Sequence, residues 1–120
     1  MDEPRSVSVR EACAEVEAGT ALLVDVRRPD EWAATGLPKG AIGITMEDPA
    51  FLDRLEQATG GDASRRILLT CRSGARSGSV QRALIDLGYT NTANVRGGMV
   101  GSGPDEGWGP AGLPIERWQG

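Results

Sequence analysis

Histidine is absent from the 120 residues, and that absence removes a large share of enzyme chemistry. Without imidazole there is no Ser-His-Asp triad, no Cys-His nucleophile pair and no histidine-ligated zinc or iron. Cysteine is nearly as scarce. Cys13 and Cys71 cannot supply a four-thiolate metal site, and a structural disulfide would be unusual in a cytosolic chain. No segment approaches the roughly 18 consecutive apolar residues of a membrane span. The opening Met1-Asp2-Glu3-Pro4-Arg5 has neither a basic start with an apolar stretch nor an Arg/Ser-rich amphipathic character, so a cytoplasmic location is expected. Positive charge is in short supply as well, with 13 Lys and Arg against 17 Asp and Glu for a net charge of −4. Arg65-Arg66 is the nearest thing to a basic patch and reads as a solvated strand edge. Neither nucleic acid nor an anionic membrane is therefore expected as a partner.

What remains is ordinary for a soluble globular protein: 39% hydrophobic and 25% charged residues, with 17 glycines that call for tight turns. The length fits a single domain over residues 1–120 with one core. Its centre is Cys71-Arg72-Ser73-Gly74-Ala75-Arg76-Ser77, which follows the apolar run Ile67-Leu68-Leu69-Thr70 and precedes Val80, Ala83, Leu84 and Leu87 at helical spacing. That pattern is strand, tight loop, helix. A loop in this position turns backbone N–H groups inward, and the helix dipole adds partial positive charge, so the pocket binds anions. A cysteine at its first position, with Arg72 and Arg76 nearby, is expected to favour thiolate over thiol and to be an activated nucleophile.

The rest of the chain alternates helix and strand signals. Ser8-Val9-Arg10-Glu11 fits a capping box, predicting a helix over about 9–18 that ends at Gly19, with Cys13 as a small core residue. Ala21-Leu22-Leu23-Val24-Asp25-Val26 reads as a strand buried on both faces, with Asp25 and Arg27 at its carboxyl end, the rim where ligands collect in open α/β sheets. Pro29 suits a first helical turn, and Trp32 anchors that helix before Gly36. Asp48-Pro49 predicts an N-cap and first turn for a helix carrying Phe51, Leu52, Leu55 and Ala58, closed by Gly60-Gly61. The helix after the cysteine loop is expected over 77–87, with Val80, Ala83, Leu84 and Leu87 facing the sheet and Gln81, Arg82 and Asp86 facing water. A last strand lies within 89–95. Strands interleaved with helices in this way indicate an α/β domain with a parallel sheet.

Several of these boxes, in order over about 6–118, resemble the rhodanese family of sulfurtransferases. The residues carrying the likeness are Asp25-Val26-Arg27 with Pro29-Asp30-Glu31-Trp32, the turn with Gly36, Gly40 and Ala41, the six-residue loop Cys71 to Arg76, and Gly97-Gly98-Met99. Leu37 stands where the family usually has histidine, and a glycine-rich insertion at about 101–107 separates the Gly-Gly turn from Trp108. The insertion is expected to be flexible, near the site, and either to shape the acceptor or to be a tolerated surface loop. The resemblance implies a small domain with a parallel central sheet of about five strands flanked by helices on both faces. It implies that Cys71 is the catalytic nucleophile and that Arg72, Ser73, Gly74, Ala75, Arg76 and Ser77 bind substrate, Ser77 opening the helix. Asp25 and Arg27 are supporting residues, as a structural ion pair or in direct substrate contact.

The implied reaction moves sulfane sulfur from thiosulfate or a low-molecular-weight persulfide, through a Cys71 persulfide, to a thiol, cyanide or protein acceptor. No metal or organic cofactor is required. Two alternatives remain open. Tyrosine phosphatases and rhodanese-related cell-cycle phosphatases resemble Cys-x-x-x-x-x-Arg, one residue longer, and Ser77 occupies that arginine's place, which weighs against a phosphatase or arsenate reductase. A non-catalytic interaction module would keep the fold without needing the cysteine and arginines.

Overall fold

The structure, a computed structural model, describes residues 4–120; Met1, Asp2 and Glu3, on which the expectation about the amino terminus partly rests, lie outside the described residues. The elements run β1 (Ser6–Val7), α1 (Val9–Glu17), β2 (Leu22–Asp25), α2 (Pro29–Thr35), β3 (Leu37–Pro38), β4 (Ile42–Gly43), α3 (Phe51–Thr59), β5 (Ile67–Thr70), α4 (Ala75–Asp86) and β6 (Thr92–Val95). Three short strands follow: β7 (Gly101–Ser102), β8 (Asp105–Glu106) and β9 (Ile115–Glu116). A five-stranded parallel sheet in the order β1-β6-β5-β2-β4 forms the centre, with β5 in the middle. The α/β fold expected from the sequence is the one observed.

Period-two alternation along the strands builds a core on each face of the sheet. Leu23, Leu68, Ala93 and Val95 pack with Val9, Ala12 and Cys13 of α1. Val24, Ile67 and Leu69 turn the other way, against Leu55 of α3 and Val80 and Leu84 of α4. Cys13 is the buried core residue its helix position predicted. Cys71 continues the alternation of Ile67 and Leu69, which carries its sulfur to the α4 side.

Helix ends follow the sequence closely where a side chain sets them. The Ser8 hydroxyl accepts from the Glu11 N–H at 3.1 Å and the Glu11 carboxylate accepts from the Ser8 N–H at 2.9 Å, a complete capping box. Pro29 opens α2, and Gly60 closes α3 in the left-handed conformation. Asp48 differs from expectation. Its carboxylate accepts from the Ala50 N–H, forming a turn ahead of α3, which starts at Phe51 with Ala50 as its N-cap. An aspartate that bonds its own backbone two residues on makes a turn in preference to a helix cap.

α4 also departs from the sequence reading. It begins at Ala75, so Ser77 lies inside the first turn and does not open the helix. Its buried stripe is Ser77, Val80, Gln81 and Leu84, spaced i, i+3, i+4, i+7. Gln81 does not face water: its amide nitrogen donates to the Arg5 carbonyl at 2.8 Å and to the Thr92 carbonyl at 3.3 Å, tying α4 to the sheet edge. Ala83 and Leu87, expected against the sheet, are exposed. Residues 101–107 form the β7–β8 hairpin, fastened by Arg96 to Asp105 at 3.3 Å and by Arg10 to Glu106 at 2.6 Å.

The register places Asp25 opposite Thr70, level with the start of the cysteine loop. Asp25 and Arg27 are 0% and 2% exposed, and their ion pair closes at 2.8 Å. Arg27 also donates to the Thr35 hydroxyl and the Gly36 carbonyl, both at 2.8 Å, so the pair fixes the end of α2 against the end of β2. These contacts form an ion pair inside the fold, and Arg27 also lines a cleft beside the cysteine loop. Replacing Asp25 by Ala leaves a guanidinium buried without a countercharge, and a loss of about 3–5 kcal/mol is expected. Urea unfolding measures it; a loss under about 1 kcal/mol would contradict this account of the pair.

Candidate active site

Cys71 leaves β5 and the chain turns at once, because Gly74 takes a φ of 101° and lets α4 start one residue later. The turn folds the loop's donors back onto the sulfur. The Gly74 N–H points to Cys71 Sγ at 3.2 Å and the Ser77 N–H at 3.4 Å, with the Ser77 hydroxyl at 3.3 Å. Cys71 is 1% exposed. Burial acts most strongly on its thiol and raises the pKa. The Ser77 hydroxyl and the N–H groups of Ser77, Ser73 and Gly74 together outweigh it, and the pKa lies below its ordinary value.

The arginines expected to produce that effect are placed differently. Arg76 makes a two-pronged ion pair with Glu31 of α2, at 2.6 and 2.8 Å. Arg72 is exposed and has no ion-pair partner among the described residues. Hydrogen bonds from the loop, more than the arginines, hold the thiol's pKa down. Ser73 and Ala75 are exposed on the loop, and Asp25 and Arg27 lie beneath the rim, bound to each other and to α2. The structure thus brings Cys71, Ser73, Gly74 and Ser77 together around one sulfur and sets Arg76 and the Asp25–Arg27 pair behind them.

Glu31 and Asn94 were not singled out from the sequence. Glu31 sits in the Glu-Trp pair of α2, and only the fold shows that α2 reaches Arg76. Asn94 lies at the carboxyl end of β6, where its side chain bonds both Ser77 and Gly74. A polar residue in an otherwise buried strand was the available signal.

The outer wall of the loop is the Gly-Gly turn. Met99 N–H donates to the Cys71 carbonyl and Val100 N–H to the Arg72 carbonyl, both at 3.0 Å. Gly98, with φ 57°, lies so close that a Cβ there would overlap the carbonyls of Cys71 and Arg72. Trp108, 1% exposed, returns the chain over this turn: its N–H donates to the Gly98 carbonyl at 2.8 Å and its indole to the Pro114 carbonyl at 2.7 Å. Beside the loop opens a cleft of about 310 Å³, lined by Arg72, Glu31, Met99, Val100, Pro110 and Ile115 among others. No helix among the described residues is long and apolar enough to cross a membrane.

Comparison with known proteins returns the same fold. The Rhodanese-like domain description matches residues 8–102. A sulfurtransferase of Allochromatium vinosum is 32% identical over 116 residues, covering 96% of this chain and 94% of that protein. The thiosulfate sulfurtransferase GlpE of Haemophilus influenzae is 34% identical over 96 residues, covering 80% of each. Among solved structures, a thiosulfate sulfurtransferase from Pseudomonas aeruginosa superposes with a TM-score of 0.77 at 27% identity, over 97% of this chain but only 21% of that longer one. The chain belongs to the rhodanese-like domain family, and its relatives include sulfurtransferases.

Two outcomes follow from this geometry. Glu31 is held at a pKa of about 2 against its usual 4.5, first by its bonds to Arg76, so the pair's contribution to stability is present above pH 4.5 and is lost as pH falls toward 2. Glu31→Gln should flatten that part of the stability–pH curve; an unchanged acid limb would contradict the pairing. Gly98→Ala should cost about 1–3 kcal/mol from the left-handed backbone and the overlap with the Cys71 carbonyl, measurable as a lowered urea midpoint. A neutral result would mean the turn does not set the loop's position.

Proposed function

We propose that the chain is a sulfurtransferase that carries sulfane sulfur as a Cys71 persulfide. The observation that supports this most is the convergence of the Gly74 and Ser77 N–H groups on Cys71 Sγ at 3.2 and 3.4 Å, in a loop short enough for a sulfur. The Cys71 thiolate attacks the outer sulfur of thiosulfate or of a low-molecular-weight persulfide. A new S–S bond forms to Cys71, the donor's S–S bond breaks, and sulfite or a thiolate departs with the electron pair. The loop's N–H groups and the Ser77 hydroxyl stabilise the negative charge on the sulfur. An acceptor, whether a thiolate, cyanide or a thiol on another protein, then attacks the outer sulfur and Cys71 leaves as thiolate.

Arg72, exposed beside the cleft, is the cation that draws an anionic donor, while Arg76 braces the loop through Glu31. Ser73 and Ala75 complete the wall, and Asp25 and Arg27 support it from β2. No residue of this mechanism needs a metal or organic cofactor. In the phosphatase reading an arginine would stand at residue 77; here a serine faces the sulfur instead.

Intact mass of the reduced protein after incubation with thiosulfate tests the proposal. One added sulfur is expected, removed by cyanide or a thiol and absent in Cys71→Ser, which should fold normally. No gain with either donor class would overturn it, and turnover of a chromogenic phosphate ester would then favour the phosphatase reading. Arg72→Ala should raise KM for thiosulfate roughly two- to fivefold, the worth of one exposed ionic contact, with kcat nearly unchanged.

A further inference from the structure

The Ser77 hydroxyl has one proton and three acceptors within reach. Asn94 Oδ1 lies 2.6 Å from its oxygen, and the Gly74 carbonyl and Cys71 Sγ each lie 3.3 Å away. The orientation of the Asn94 amide follows from its other contact. Nδ2 is 3.0 Å from the Gly74 carbonyl oxygen, which can only accept, so the nitrogen must face it and Oδ1 must face Ser77. Oδ1 has no proton of its own. A 2.6 Å O–O approach between two lone pairs would be repulsive, so the Ser77 proton lies in that bond.

We propose that Asn94 is a positioning residue that competes with the Cys71 sulfur for the Ser77 hydroxyl proton. While Cys71 is a thiol, the hydroxyl donates to Asn94 and offers its lone pair to the S–H. When the sulfur is charged, the hydroxyl has to give up its shorter bond to turn toward it. Asn94 therefore limits how far the loop stabilises the thiolate.

The consequence for catalysis rests on the persulfide reading above. Nucleophilicity falls as a thiol's pKa falls, while a leaving thiolate is better the lower its pKa. Cys71 must attack in one half-reaction and leave in the other, so an intermediate value serves both. The backbone N–H groups are fixed donors, and only the hydroxyl can be rationed. Asn94 is suited to that task because it sits on β6, in register with Leu69 two residues before Cys71.

The test is a titration of the Cys71 thiolate by its ultraviolet absorbance and by the pH dependence of alkylation, located at Cys71 by mass spectrometry. It is run on the wild type, Asn94→Ala and Asn94→Val, each also in a Ser77→Ala background. Removing Asn94 does not orphan the Gly74 carbonyl, which still accepts from the Gly78 N–H at 3.1 Å. The charged groups facing the loop are Arg72 on it, Arg76 of α4, Glu31 of α2, and Asp25 and Arg27 at the end of β2; all are retained.

In both Asn94 variants the midpoint should move down by about half a unit to one unit, the range of one net hydrogen bond. That shift should vanish when Ser77 is Ala. An unchanged or raised midpoint in a folded variant, or the same fall without the Ser77 hydroxyl, would overturn the proposal. A readout in the unsubstituted protein covers the case of variants that do not fold. The Asn94 carboxamide NMR resonances should follow the Cys71 midpoint, and resonances that ignore it would equally overturn the proposal. None of these measurements uses a sulfur donor, so a failure of sulfur transfer and a failure of the Asn94 role are seen separately.

Discussion

A buried sulfur that must carry charge needs donors that burial does not remove, and the loop after β5 supplies them from its backbone. The Gly74 and Ser77 N–H groups reach Cys71 Sγ because the chain reverses within three residues, and that reversal depends on a glycine with positive φ. Desolvation alone would leave Cys71 an inert core thiol, as Cys13 is, whose pKa burial raises. The difference between the two cysteines is where each sits in the fold: one on the buried face of α1, the other at the start of a loop that opens a helix.

The surrounding structure serves to keep that loop in one shape. The Gly-Gly turn bonds its outer carbonyls, and Trp108 seals the turn from behind. On the other side Arg76, paired with Glu31, ties α4 to α2, while the Asp25–Arg27 pair ties α2 to β2. These ion pairs join three separate elements at the rim of the sheet, so the loop is gripped by side chains far apart in sequence. Fixed donors of this kind require little reorganisation when charge appears on the sulfur.

Much of this was legible in the sequence, and the failures have physical causes. The Ser8–Glu11 box, Pro29 at a helix start, Gly60 at a helix end and the two-sided apolar strands are local signals, and each led to the observed element. Gln81 is polar, yet 77, 80, 81 and 84 form one helical stripe, and the Arg5 and Thr92 carbonyls give its buried amide partners. Ser77 was expected to open α4, whereas Gly74 lets the helix begin sooner and turns Ser77 toward the sulfur. The two arginines near Cys71 suggested an electrostatic origin for its activation. That Glu31 engages one of them, and that Asn94 reaches Ser77, depends on which elements the fold makes neighbours, which no spacing in the chain encodes.

The central claim is that sulfur is held covalently on the protein between donor and acceptor. Its most direct measurement is sulfite released in a single turnover of thiosulfate with acceptor left out. Double displacement predicts a rapid burst of one sulfite per active chain, followed by no further release until a thiol or cyanide is added. Sulfite that appears only once acceptor is present would contradict a persulfide intermediate and would require direct transfer between the two substrates.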